Sequence, residues 1–132
     1  MKILIAEDDF IARRILKEVL VPYGDCDIVV DGEEAVHAFR LSMEEGTPYD
    51  LVCLDIMMPH MDGYEALKAI REMEKAGGID PVDEVRVIMI TALGDPGTVF
   101  RTLYKGAATS YLVKPIVKSK LIRELRNLGL IS

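Results

Sequence analysis

The apolar positions of this chain follow two alternating patterns. Ile3-Leu4-Ile5-Ala6 is a continuous apolar run too short for a helix, and it predicts a strand buried on both faces. Beyond Asp9, apolar residues fall at Ile11, Ile15 and Val19, flanked by Ala12, Leu16 and Leu20. This is the stripe of an amphipathic helix, which Pro22 and Gly24 stop. Asp27-Ile28-Val29-Val30 predicts a second strand. Asp31 with Glu34 three residues on has the form of a capping box, opening a helix through Val36, Phe39 and Met43 that Gly46 and Pro48 end. Leu51-Val52-Cys53-Leu54 predicts a third strand, followed by a methionine-rich loop and a helix over residues 64–76. Residues 85–90 predict the fourth strand. Asp95-Pro96 starts a fourth helix, with proline in the first turn where no amide is needed, and Gly106 closes it. Tyr111-Leu112-Val113 is the fifth strand, and Leu121, Ile122, Leu125 and Leu128 stripe the last helix.

Five β-α units in succession predict a parallel sheet covered by helices on both faces, because crossovers between parallel strands are helical and right-handed. The length of 132 residues fits one domain spanning 1–132, with a core that needs no staples. Half of the residues are apolar and 29% are charged, which excludes a disordered tail or a fibre. No apolar run approaches the roughly 20 residues of a membrane span. Met1-Lys2 precedes only four apolar residues before Glu7, so no secretory leader is expected. Cys26 and Cys53 form neither a disulfide framework nor a metal spacing, and the expected compartment is the reducing cytoplasm. The net charge of −6 argues against general nucleic-acid coating. It hides an asymmetry: residues 1–100 carry 9 basic and 21 acidic groups, whereas residues 101–132 carry 7 basic groups and Glu124 alone. Two surfaces with different tasks would produce this, as would ordinary solvated helix faces.

In doubly wound sheets ligands bind beyond the carboxyl ends of the strands. Glu7, Asp8 and Asp9 follow the first strand, Asp55 the third, Thr91 the fourth, and Lys114 and Pro115 the fifth. Carboxylates gathered at one crevice repel, so their ionisation calls for a cation or for raised pKa values. A set of oxygen ligands with little protein caging suits Mg²⁺, and Lys and Thr opposite it would hold the oxygens of a transferred phosphoryl group. Other candidates read as structure. His37 on the second helix and His60 in a polar loop lack neighbours at metal spacing. Met57, Met58 and Met61 read as loop packing, Cys53 as core, and Gly94-Asp95-Pro96-Gly97 as a turn without the lysine of a phosphate-cradling loop.

Four segments carry a family resemblance: Ile3-Leu4-Ile5-Ala6-Glu7-Asp8, Leu54-Asp55-Ile56-Met57-Met58-Pro59 with Asp62-Gly63, Ile90-Thr91-Ala92, and Tyr111-Leu112-Val113-Lys114-Pro115. Each alone is weak; all four in order, each at a strand end, resemble the receiver domains of two-component response regulators, including the stand-alone chemotaxis type. The resemblance runs from Ile3 to about Leu128. It implies a flavodoxin-like α/β fold, doubly wound (βα)5, with a five-stranded parallel sheet in the order 2-1-3-4-5. It implies Asp55 as phosphoacceptor, and Mg²⁺ (with Mn²⁺ as substitute) held by Asp8, Asp55 and the Met57 backbone carbonyl, with Glu7 acting through water. Thr91 and Tyr111 resemble the switch pair, Lys114 the phosphate-binding cation, and Pro115 a residue after a cis peptide bond. In this register Asp9 caps the first helix, with the alternative that it also lines the site. Residues 77–84 form a longer connection than many members have, and with four residues after Leu128 no output domain is expected.

The function so implied is a phosphorylation switch, not a turnover enzyme. It takes a phosphoryl group from a sensor histidine kinase or histidine phosphotransfer protein. It signals to a downstream protein through the face of the fourth helix, fifth strand and last helix, with no direct nucleic-acid or membrane contact. The alternative is an aspartyl-phosphate, metal-dependent phosphatase, which wants a second acid where this chain has Met57. A flavin carrier would want hydroxyl-rich phosphate loops and aromatic stacking, and there is no tryptophan. A pseudo-receiver scaffold would not need the full acid, Thr and Lys set.

Overall fold

The computed structural model describes residues 1–92 and 110–132. Five strands form one sheet: β1 (Lys2–Ala6), β2 (Asp25–Val29), β3 (Leu51–Asp55), β4 (Arg86–Thr91) and β5 (Ser110–Val113). All pairings are parallel and the order is β2-β1-β3-β4-β5. Four helices are described: α1 (Phe10–Leu20), α2 (Gly32–Glu44), α3 (Gly63–Ala76) and α4 (Lys118–Asn127). The helix predicted to start at Asp95-Pro96 and end at Gly106, and the turn at Gly94-Asp95-Pro96-Gly97, lie outside the described residues.

Alternate strand residues serve opposite faces, so the sheet divides the core in two. Leu4, Val52, Leu54, Val87 and Met89 meet Phe39 of α2 and Leu67 and Ile70 of α3. Ile3, Ile5, Leu51, Cys53, Ile88 and Ile90 meet Leu16 and Leu20 of α1 and Leu121 and Leu125 of α4. The central strands β1, β3 and β4 are therefore apolar on both faces, as the unbroken runs predict. β2 begins earlier than its apolar run because Lys2 and Ile3 pair with Asp25 and Cys26. Its exposed Asp25 and Asp27 alternate with partly buried Cys26 and Ile28 along the strand.

Carboxylates set the starts of α1, α2 and α3, whereas α4 opens at Val117 without a side-chain cap. Asp9 caps α1, accepting the Ala12 amide at 3.2 Å. Asp31 caps α2 through the Glu34 amide, but Glu34 returns its side chain to the Val30 amide rather than to Asp31, so the expected box is half formed. The full reciprocal box stands at Asp62 and Glu65, opening α3. β4 begins at Arg86 and not Val85, because the Val85 amide is taken by the buried Glu74 carboxylate at 2.7 Å. Residues 77–84 contain a short 3-10 turn, Pro81–Asp83. No described helix is long and apolar enough to cross a membrane.

Candidate functional site

The carboxyl ends of β1, β3, β4 and β5 bring Glu7, Asp8, Asp55, Thr91 and Lys114 around one crevice. Asp55 is the last residue of β3 and pairs in register with Ile90; Thr91, last in β4, pairs with Val113, one residue before Lys114. Glu7 follows β1 directly and is wholly buried, its amide bonded to the Val29 carbonyl. Asp55 and Thr91 are also buried, whereas Asp8 is exposed. Each of Glu7, Asp8 and Asp55 offers a carboxylate oxygen within 4.8 Å of the other two. The carboxylate of Asp9 turns instead to the start of α1.

Lys114 Nζ reaches over this group. It lies 3.3 Å from Asp55 Oδ2 and 2.8 Å from Glu7 Oε1. The contact with Glu7 is a charge pair without hydrogen-bond alignment, so Glu7 Oε1 stays buried with no directed donor. The Lys114 amide donates to the Thr91 carbonyl at 2.8 Å, and the Lys114–Pro115 peptide is cis. The loop after Asp55, residues 56–62, is anchored on its inner side: the Ile56 amide bonds the Ile90 carbonyl and the Gly63 amide bonds the Ile56 carbonyl, both at 2.9 Å. A Cβ at Gly63 would sit 2.1 Å from the Asp55 carbonyl oxygen, so the approach of α3 beneath Asp55 requires glycine.

Burial pushes the Asp55 carboxyl up to about 7, and the hydrogen bond and charge of Glu7 add to the effect, partly offset by Lys114. Burial draws Lys114 down, but Glu7 and Asp55 outweigh it and hold the ammonium above its ordinary value. Among the described residues, one ammonium thus serves a crowded trio of acids. The donor set fits a small hard divalent cation: oxygens only, more negative charge than Lys114 balances, and a buried oxygen without a directed donor.

Of the residues singled out from sequence, Glu7, Asp8, Asp55, Thr91 and Lys114 converge here, and Asp9 does not. Met57 is 70% exposed beside the crevice, so it does not serve as loop packing. Met58 and Met61 do pack, against the α2–α3 side. Tyr111 stands 39% exposed on β5. His37 is exposed on α2. Two arrangements escaped the sequence reading. His60 pairs with Asp31, and Glu74 sits buried between Arg71 and Val85. Glu74 falls four residues after Ile70 on the inward stripe of α3, which was the one available signal.

The family model described as the response regulator receiver domain matches residues 3–126. Chemotaxis protein CheY of Listeria monocytogenes is 36% identical over 125 residues, which is 95% of this chain and 95% of that protein. Hybrid signal transduction histidine kinase I of Dictyostelium discoideum is 34% identical over 127 residues, covering 96% of this chain but only 7% of the kinase. Among solved structures, the CheX-CheY-BeF3-Mg+2 complex from Borrelia burgdorferi superposes with a TM-score of 0.82 at 32% identity, covering 98% of this chain and 89% of that one. With the strand order, the crevice and these likenesses in agreement, the chain belongs to the response regulator receiver domains of two-component signalling and resembles the chemotaxis regulators among them.

Proposed function

We propose that the chain is a phosphorylation switch in which Asp55 accepts a phosphoryl group from a phosphohistidine. An ionised Asp55 oxygen attacks the phosphorus in line, the P–O bond forms as the P–N bond breaks, and the imidazole leaves with the electron pair. The buried strand end aims the carboxylate, and its value of about 7 keeps a large fraction ionised at neutral pH. Lys114, already 3.3 Å from Asp55, stabilises the negative charge spread over the phosphoryl oxygens. When bound, Mg²⁺ (or Mn²⁺), held by Asp8, Asp55 and the Met57 carbonyl with Glu7 through water, supplies the further positive charge this transfer needs. Attack of water on the phosphorus breaks the P–O bond to Asp55, leaves the electron pair on its carboxylate, releases inorganic phosphate and ends the signal.

The product carries roughly −2 of charge on a side chain that began as a shared, partly protonated acid. The Thr91 hydroxyl, whose present contact with the Ala92 carbonyl is a long 3.4 Å, moves to the phosphoryl group, and Tyr111 turns inward behind it. The face bearing β5 and α4 changes shape, and its Lys118, Lys120, Arg123 and Arg126 meet a downstream protein. Arg101 and Lys105, assigned to the same face from sequence, lie outside the described residues. A sensor kinase or phosphotransfer protein of the cytoplasm is the donor.

The observation that carries this reading is the convergence of Glu7, Asp8 and Asp55 under a single lysine. The test is labelling: with Mg²⁺ and a small phosphodonor, the wild type gains one alkali-labile phosphate, mapped to Asp55 by mass spectrometry, and Asp55→Asn gains none. Equal labelling of the variant refutes the assignment.

A further inference from the structure

The acceptor loop, residues 56–62, is also gripped on its outer side, by the first turn of α2. The Gly32 amide donates to the Met61 carbonyl at 3.0 Å. A Cβ at Gly32 would stand 2.2 Å from that carbonyl oxygen, so only glycine permits the approach. One residue earlier, Asp31 divides its carboxylate. Oδ1 accepts the Glu34 amide at 2.8 Å, and Oδ2 meets His60 Nδ1 at 2.9 Å. Among the described residues His60 is the one non-glycine residue at positive φ, 66°, a backbone state that side chains disfavour. The Asp31 side chain is 10% exposed and the His60 ring 66%. The phosphoryl chemistry uses neither.

We propose that Asp31 and His60 are positioning residues for the acceptor loop, tying the start of α2 to the segment that carries Asp55 and Met57, and that protonation of His60 tightens this tie. The proposal rests on the phosphoacceptor reading of Asp55. Asp31, Glu33 and Glu34 of α2 are the charged groups acting on the ring, while the nearby Asp62 is engaged in its box with Glu65. The hydrogen bond from His60 to Asp31, then the charge of Asp31, raise the imidazole above its ordinary 6.5. Asp31 is held low, first by the Glu34 amide and then by His60, so it stays ionised. The sign follows. The charged tie is complete below about 6.5 and is lost as pH rises through the higher native value of His60. A neutral ring still donates from Nδ1, but a charge-assisted bond is roughly twice as strong. The loop is therefore best ordered at neutral to mildly acid pH and loosens on the alkaline side.

The test uses the full chain with Mg²⁺ and acetyl phosphate, measuring initial labelling rates from pH 6 to 8.5 for the wild type, His60→Asn and Asp31→Asn. Asn at 60 tolerates positive φ and does not titrate, and Asn at 31 keeps an oxygen for the Glu34 amide. Imidazole NMR gives the His60 pKa independently. The ratio of wild-type to His60→Asn rates should fall roughly two- to fivefold across the range, with its midpoint at the measured His60 pKa. The fall should disappear when both proteins carry Asp31→Asn. Exchange of the Gly32 amide at matched pH should be slower in the wild type than in His60→Asn, with the advantage shrinking above the same midpoint. A flat rate ratio in a labelled wild type overturns the proposal alone. Equal Gly32 exchange also overturns it. Absence of label on wild-type Asp55 overturns the phosphoacceptor reading itself.

Discussion

Replacing Asp55 by Asn should stabilise the metal-free protein, although it removes the proposed acceptor. The displacement of Asp55 from 3.8 to about 7, at about 1.4 kcal/mol per pH unit, bounds the cost of ionising it in the native crevice at about 4 kcal/mol. That bound already includes the attraction of Lys114. Water at the end of the sheet screens part of the cost, and halving it leaves about 2 kcal/mol. The sign is fixed by proton linkage. Between about pH 4 and 7 the native state holds a proton that the unfolded chain has released, so wild-type stability falls as pH rises through this window. The Asn variant lacks this fall. Urea unfolding followed by circular dichroism, in chelator at pH 4.5, 6 and 8, should show a small difference at the acid end that grows to about 2 kcal/mol in favour of Asp55→Asn at pH 8. Adding Mg²⁺ at ten times its dissociation constant should recover about 1.4 kcal/mol for the wild type and less for the variant. A variant no more stable than the wild type at pH 8 in chelator would refute the account of crowded carboxylates.

Thr91→Ala should keep phosphate labelling at Asp55 and lose most of the phosphorylation-induced chemical-shift change in β5 and α4; full retention of that change removes Thr91 from the relay. Glu74→Ala should cost about 2 kcal/mol in urea unfolding, since it removes the carboxylate that lies 2.7 Å from Arg71 Nη1 and leaves the buried Val85 amide without that acceptor. Charge reversal at Lys118 and Arg123 should weaken binding of the downstream partner, whereas partner loss on reversal of Arg13 alone would move the output surface to α1.

The sequence was most legible where burial is symmetric. Ile3-Leu4-Ile5-Ala6 and Leu51-Val52-Cys53-Leu54 lie on strands covered by helices on both faces, so an unbroken apolar run could mean little else. It was least legible where a polar group does structural work inside. Glu74 occupies an inward position of α3, and apolar periodicity cannot show that a carboxylate there will close on Arg71 and the first amide before β4. The capping signals were ambiguous for a related reason. Asp31-Glu34 and Asp62-Glu65 share one spacing, and only the path of the preceding chain decides which glutamate can fold back. The candidate site residues were readable because each stands at or just beyond the carboxyl end of a strand, which fixes its place before any side chain is positioned. The tie between His60 and Asp31 was not, since 29 residues separate partners that meet only once α2 and the acceptor loop are packed.

Glu7, Asp55 and Thr91 cap the three interior strands, each wholly or almost wholly buried. Tyr111 belongs to β5, a margin strand that among the described residues pairs with β4 and is exposed at Tyr111 and Val113. Amides of interior strands open only when the whole domain does, while margins yield at a fraction of that free energy. If Asp55 takes the phosphoryl group as proposed, a charge added at the rigid middle would be read at a more compliant border without loosening the place where it is stored. Signal and scaffold are separated by a single strand spacing, about 5 Å.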